Sequence, residues 1–226
     1  MRLAVKLDIV YSDAMMRSFA ALLWIPLGLL SAQDLKPVAL PTPQTTGGKP
    51  LFQALKERKS AREFGVGQIS QQTLANLLWA AWGINRDDGR RTAPSASNHQ
   101  EIDVYVITAD GAYIYDAKAN ALQPVAQTDL RKLAGTQAFV AEAPVDLIYV
   151  ADTVKLGGDE PAKLNYAFAD TGFISQNVYL FGASEGLATV VRASVDRAAL
   201  GKALNLRPEQ RITLAQSVGY PKPAAK

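Results

Sequence analysis

Residues 162–185 are the stretch that most restricts how this chain can fold. Leu164, Phe168, Ile174, Val178 and Phe181 are spread around a helix, with the small residues Ala167, Gly172, Ser175, Gly182 and Ala183 between them. A helix that is apolar nearly all round has no face to offer to water and must be covered on every side. Gly186 supplies its stop, because glycine accepts the left-handed conformation that closes a helix. In a chain of 226 residues, the simplest cover for whatever the domain leaves open is a second copy of the same chain.

The remaining elements arrange themselves around that helix. Residues 51–58 have apolar positions at helical spacing, and Ser70 heads a second helix through Trp82, with Leu74, Leu77, Leu78 and Ala81 along one face. Trp79 and Trp82 read as core or interface aromatics. Residues 102–108 and 112–115 flank Asp110 and Gly111, the pair that favours a hairpin, and a short third strand near 121–124 extends the meander. Thr128 or Asp129 is expected to cap a helix running toward Val140. Residues 145–150 follow Pro144 as a continuous apolar strand, which suits the interior of a sheet. A strand over 187–192, a helix over 195–204 capped by Ser194 and a strand over 211–218 complete the order. Strands in a meander together with long helices point to an α+β fold.

The amino-terminal region reads separately. Met15, Met16 and Arg17 give a charged start, residues 19–30 an apolar core, and Ser31 and Ala32 a small-residue end before Gln33 and Asp34. That is the order of a secretory signal peptide. The apolar run is shorter than the roughly 20 residues of a spanning helix, so no stable membrane span is expected after processing. Asp8 and Asp13 ahead of it place the expected start near Met15. The organisation expected is a Sec-type signal peptide over 1–32, a Pro-rich extended arm over 33–50, and one domain over 51–226 in a periplasmic or secreted protein. With no cysteine, disulfides, thiolate catalysis and cysteine metal sites are excluded; a lone His99 leaves no histidine metal site or triad. Lys and Arg total 24 against 21 Asp and Glu, with no long basic run, so no nucleic-acid stripe is expected.

One loop has the composition of a ligand surface. Pro94, Ser95, Ala96, Ser97, Asn98, His99 and Gln100 crowd hydroxyls and amides onto small residues between a helix and a strand. A flat ligand could lie against such a backbone while polar groups read its edge, although a plain connection has the same composition.

Taken in order, these segments resemble the nitroreductase family of FMN-dependent oxidoreductases, especially its thiazoline/oxazoline-dehydrogenase-like branch. The resemblance is carried by Leu40 and Pro41, by Leu51, Phe52, Gln53, Ala54 and Leu55, and by Arg58, Lys59, Ser60, Ala61, Arg62, Glu63 and Phe64. It continues through Leu77, Leu78, Trp79, Ala80 and Ala81, Gly83 and Ile84, the 94–100 loop, and Val218, Gly219, Tyr220 and Pro221.

The resemblance implies a three-layer sandwich with a mostly antiparallel sheet, and a homodimer with the long buried helix at its interface. Each FMN site would be built from both chains. It also implies ping-pong transfer through flavin N5 between a small-molecule electron donor and acceptor, with the flavin rather than a side chain carrying the chemistry. Arg58, Ser60 and Arg62 would hold the FMN phosphate with Lys59 beside them, and two guanidinium forks around a hydroxyl suit a dianion. Ser60 and Glu63 also have capping-box spacing. Pro94, Ser95, Ala96 and Asn98 would line the ring, with His99 beside the loop and without a chemical role.

Two positions depart from the family. The Glu–Gly pair beside the reactive nitrogen is replaced by Ala193 and Ser194, which leave a backbone amide and no carboxylate. The C-terminal basic pair is thinned to Lys222, with Lys226 at the end. These departures keep open a flavin- or ligand-binding module without turnover, or an azoline dehydrogenase acting on a modified peptide.

Overall fold

Residue by residue, 145–152 shows how the fold is layered. In the computed structural model, which describes residues 36–223, all eight positions of this strand are buried. The signal-peptide reading lies outside the described residues. The strands, in chain order, are β1 (Val38–Ala39), β2 (Ile102–Thr108), β3 (Gly111–Asp116), β4 (Ala121–Ala126), β5 (Val145–Asp152), β6 (Ala188–Arg192) and β7 (Gln210–Gly219). They form one sheet in the order β1-β4-β3-β2-β5-β7-β6. Every pairing is antiparallel.

Because strand side chains alternate, β5 feeds two cores. Val145, Leu147, Tyr149 and Ala151 join Ile102, Val104 and Val106 of β2 under α2 (Gln71–Trp82) and α3 (Glu160–Glu185). Ile148 and Val150 join Tyr105 and Ile107 on the opposite face, under α4 (Arg197–Ala203) and the turns around Ala134 and Val140. This gives the three-layer α+β sandwich expected. α1 (Leu51–Glu57) packs on α3. The arm contributes β1, a two-residue strand at the sheet edge, where its prolines displace no ladder bond between interior strands.

Helix ends follow local chemistry. Ser70 Oγ accepts the Thr73 N–H, Asp159 Oδ1 accepts the Ala162 N–H, and Gly186 closes α3 at φ +74°. Three expectations are corrected. The helix toward Val140 is absent; two short 3₁₀ turns, Arg131–Leu133 and Ala138–Ala141, stand in its place. Asp129 does bind the Arg131 N–H, but Arg192 takes the Ala134 carbonyl, and Gly135 lies too close to that guanidinium to carry a side chain. α4 starts later than expected and is capped by Asp196, because Ser194 is bonded to Thr136 instead. No helix follows Ser60, so Ser60 and Glu63 make no capping box.

α3 is covered on one side only. Asp170, Ile174, Val178 and Tyr179 face inward, whereas Tyr166, Phe168 and Phe173 are about half exposed. Among the described residues no helix is long and apolar enough to cross a membrane.

Candidate functional site

The basic segment after α1 is held against the sheet edge by Tyr179. Ser60 Oγ lies 2.8 Å from the Tyr179 hydroxyl, which also accepts the Val191 N–H at 2.9 Å. The Arg58 guanidinium stacks 5.0 Å above the Tyr179 ring. The Ala61 N–H donates to the Thr189 carbonyl at 2.9 Å, so residues 58–62 cover the edge strand β6. The C-terminal segment closes on the same place: Gly65 N–H donates to Tyr220 O, Lys222 N–H donates to Glu63 O, and Phe64 bridges to Pro221. Gly219 is required here, because a Cβ on it would lie 2.6 Å from Pro144 Cδ and 2.9 Å from Phe64 Cδ1.

Between these strands is a cleft of about 470 Å³ lined by Lys49, Lys59, Ala61, Tyr179, Thr189 and Pro221, among others. That volume lies within the range of small-molecule sites. Lys59 lines it directly, as do Lys49 and Glu57, which are paired at 2.7 Å; Arg58 stacks on the Tyr179 ring beside it, and Arg62 is exposed at the end of the same segment. The backbone amides of Lys59, Ser60 and Arg62 find no acceptor among the described residues. Cations, a hydroxyl and free amides around one opening are the donor set that suits a phosphate dianion.

The end of β6 is fixed by a buried ion pair. Arg192 Nη2 donates to Asp146 Oδ1 at 2.6 Å, and Ser217 Oγ donates to the same oxygen at 2.5 Å. Burial pushes the Asp146 carboxyl up to about 7, against the pull of the Arg192 charge. Ala193 and Ser194 follow directly and are exposed. The Thr136 N–H donates to the Ser194 carbonyl, and their hydroxyls lie 2.5 Å apart. From Thr189 to Ala193 the strand advances about 13 Å, so these residues lie along the same edge as the 58–62 segment.

The 94–98 loop is elsewhere. Ala96 N–H donates to Asp170 Oδ2 at 2.8 Å, on the middle of α3. Asp170 and Tyr179 are nine residues apart, hence about 14 Å along the helix, at the two margins of its buried face. Within one chain the structure therefore joins Arg58, Lys59, Ser60, Arg62 and Lys222 at one edge, with Ala193 and Ser194 further along it. Pro94, Ser95, Ala96 and Asn98 lie at the other margin of α3's buried face, more than two turns along it. His99 is exposed on this loop. Ser97, Asn98 and Gln100 have φ of +49°, +57° and +48°, an unusual density of left-handed non-glycine residues.

Three groups escaped the sequence reading. Tyr179 was counted only as part of an apolar helix, although a buried tyrosine hydroxyl needs a partner. Asp170 is the sole charged residue between Lys163 and Glu185. Glu101, just before β2, is fully buried. Burial pushes its carboxyl up to about 7, and Asp170 beside it acts in the same direction.

An antiparallel seven-stranded sheet between helical layers, with a basic phosphate-type cleft at its edge, defines an α+β protein of nitroreductase-like fold. The Nitroreductase family model matches residues 55–220. A Methanocaldococcus jannaschii protein assigned as a nitroreductase is 31% identical over 153 residues, which span 62% of this chain and 76% of that protein. The crystal structure of a Ralstonia eutropha protein assigned as a nitroreductase aligns with a TM-score of 0.78 at 38% identity, covering 83% of this chain and 90% of that one. The NADPH:FMN oxidoreductase of Vibrio harveyi, complexed with NAD+, shares the fold with a TM-score of 0.59 at 20% identity, over 76% and 69% of the two chains. The chain belongs to the nitroreductase family and is an oxidoreductase.

Proposed function

We propose that this protein is an FMN-dependent oxidoreductase that works as a homodimer outside the cytoplasm. The observation that carries this reading is the basic segment Arg58–Arg62, held by Tyr179 beside a cleft that Lys59, Ala61 and Tyr179 themselves line, with the Lys222 N–H bonded to Glu63 next to it. A family-fold protein of Desulfovibrio desulfuricans is in complex with FMN, at 20% identity and a TM-score of 0.58 over 80% of this chain and 92% of that one. Bound FMN would supply ping-pong hydride chemistry at its N5 between a small-molecule donor and acceptor.

The chain's own residues do the rest. Arg58 and Arg62 neutralise the phosphate, with Lys59 on the rim and Lys222 closing the same end. Ser60, oriented by Tyr179, adds a hydroxyl to those contacts. At the far end of β6, Ala193 and Ser194 present backbone amides. Pro94, Ser95, Ala96 and Asn98 sit at the other margin of α3's buried face from this cleft, and in the homodimer a second chain's loop would complete the site. The exposed Tyr166, Phe168 and Phe173 on α3 give that second chain an apolar surface.

The visible absorption spectrum of the chain purified from Gln33 onward with FMN supplied tests this reading. A bound yellow flavin supports it, and a folded dimer that binds no FMN overturns it. Ala193 and Ser194, which provide no carboxylate, favour a second reading as a flavin-binding module without turnover. Reduction of the bound flavin by any donor and reoxidation by a quinone or nitroaromatic would rule that out. Product analysis on azoline peptides separates an azoline dehydrogenase from a reductase.

A further inference from the structure

Glu101 is 0% exposed, and neither of its carboxyl oxygens has a hydrogen-bond partner among the described residues. It faces Asp170 of α3, itself 3% exposed, whose Oδ2 accepts the Ala96 N–H at 2.8 Å. Two ionised carboxylates in one dry pocket, one of them without a single donor, would be strongly unfavourable. The arrangement closes when one proton is shared: the Glu101 O–H donates to an Asp170 oxygen, and the Asp170 carboxylate keeps the Ala96 amide. The other charged group that bears on Glu101 is Lys155, in the Thr153–Lys155 turn after β5; its Nζ donates to the Gln100 carbonyl at 3.3 Å.

The loop that this pair holds is strained. Ser97, Asn98 and Gln100 are all left-handed, at a cost of about 1 kcal/mol or more each. Opposing that strain are the Asp170 contact, the Gln100 N–H donated to Ser95 Oγ at 3.0 Å, and the Arg91 Nε–H donated to Gln100 Oε1 at 2.8 Å. Asp170 is the tie between the loop and α3.

We infer that Glu101 and Asp170 are positioning residues, a proton-sharing acid pair that sets the 94–98 loop in the conformation it presents to a ligand. That this ligand is the flavin of a second chain rests on the function proposed above; the acid pair itself does not. Loss of the shared proton places two negative charges together and loosens the Ala96 anchor.

The test is residue-resolved amide hydrogen exchange over residues 96–98, corrected for intrinsic rates, at about pH 5.5 and about pH 8.5, on either side of the raised Glu101 titration. In the unmodified protein, Ala96 protection should fall roughly tenfold or more between the two. Glu101→Gln keeps an N–H donor toward Asp170 without a titrating proton, so its protection should stay high at both. Asp170→Ala should lose protection at both. Flat protection in the unmodified protein, which needs no variant to fold, overturns the pair, as does a Glu101→Gln profile that follows the unmodified one. FMN titration of the same samples reads the flavin proposal separately: exchange can follow the expected pattern in a chain that binds no FMN, and the reverse.

Discussion

The Tyr179 hydroxyl joins three parts of the chain through Ser60, lying 2.8 Å from its Oγ and 2.9 Å from the Val191 amide nitrogen. Through it the long helix fixes both the basic segment after α1 and the edge strand β6. Tyr179→Phe leaves a Val191 N–H without its acceptor and frees Ser60, while the ring that carries Arg58 remains. Stability should fall by about 1 kcal/mol in urea unfolding, the cost of leaving a part-buried N–H without its acceptor. FMN affinity should fall with it, because the Ser60 hydroxyl loses the group that orients it.

The cradle itself is tested by Arg58→Ala combined with Arg62→Ala. Each charge-assisted contact to a phosphate contributes about 1.5–3 kcal/mol, so FMN should bind roughly 100-fold more weakly or be absent after purification. The fold should persist, since Arg62 is exposed and Arg58 packs on one ring only. Full flavin occupancy in the double variant would remove these residues from the site.

The buried pair at the end of β6 makes a different prediction. Arg192→Met leaves Asp146 buried with Ser217 alone as its donor, and breaking such a pair from one side costs about 3–5 kcal/mol. A thermal melt should show the loss. Asp146→Asn together with Arg192→Met should recover much of it, because no unpaired charge is then left in the core.

Glu101 sets the sign of a pH effect. Its carboxyl is raised in the folded protein from 4.5 to about 7, so the folded state binds the proton more tightly than the unfolded chain does. This group's contribution is therefore fully present below about pH 4.5 and is lost as pH rises toward about 7. Glu101→Gln does not titrate. Its stability relative to the unmodified protein should rise across that window, by on the order of 3 kcal/mol. Paired urea melts at several pH values measure this difference, in which the other carboxylates cancel.

Much of this architecture was legible because it rests on local rules. Ser70 as a cap, the Asp110 and Gly111 hairpin and the buried β5 run each follow from a few neighbouring residues. The failures came where a distant group intervened. The helix expected toward Val140 is interrupted where Arg192, far along the chain, takes the Ala134 carbonyl. Ser194 has cap chemistry, yet Thr136 claims it first. The motif residues at 58–62 and 94–98 were both visible, but nothing in their spacing told that they are anchored more than two turns apart on α3, on Tyr179 and Asp170. Asp146 and Asp170 carried a readable signal, each the one acid within an apolar run (145–151 and 164–184), whose meaning depends on the partner it meets.

Gly219 gives a structural reason for one motif residue. Gly219→Ala forces a Cβ against Pro144 and Phe64, both part of the wall that holds the C-terminal segment to the 63–65 stretch. Overpacking of this kind costs about 1–3 kcal/mol. Limited proteolysis should show the C-terminal segment released before the sheet unfolds.

The two-chain site proposed above is open to a direct test on α3. Phe168 and Phe173 are 42% and 48% exposed on a helix whose inner side is already filled by the domain's own core. Phe168→Glu with Phe173→Glu places charges on that surface without touching either half of the site within one chain. If a second copy covers it, light scattering should show a monomer. If each site is built from both chains, FMN should be lost in the same variant. A monomer that keeps its flavin would separate the apolar surface from the site, and would place the whole of the cofactor's binding on the cleft under Tyr179.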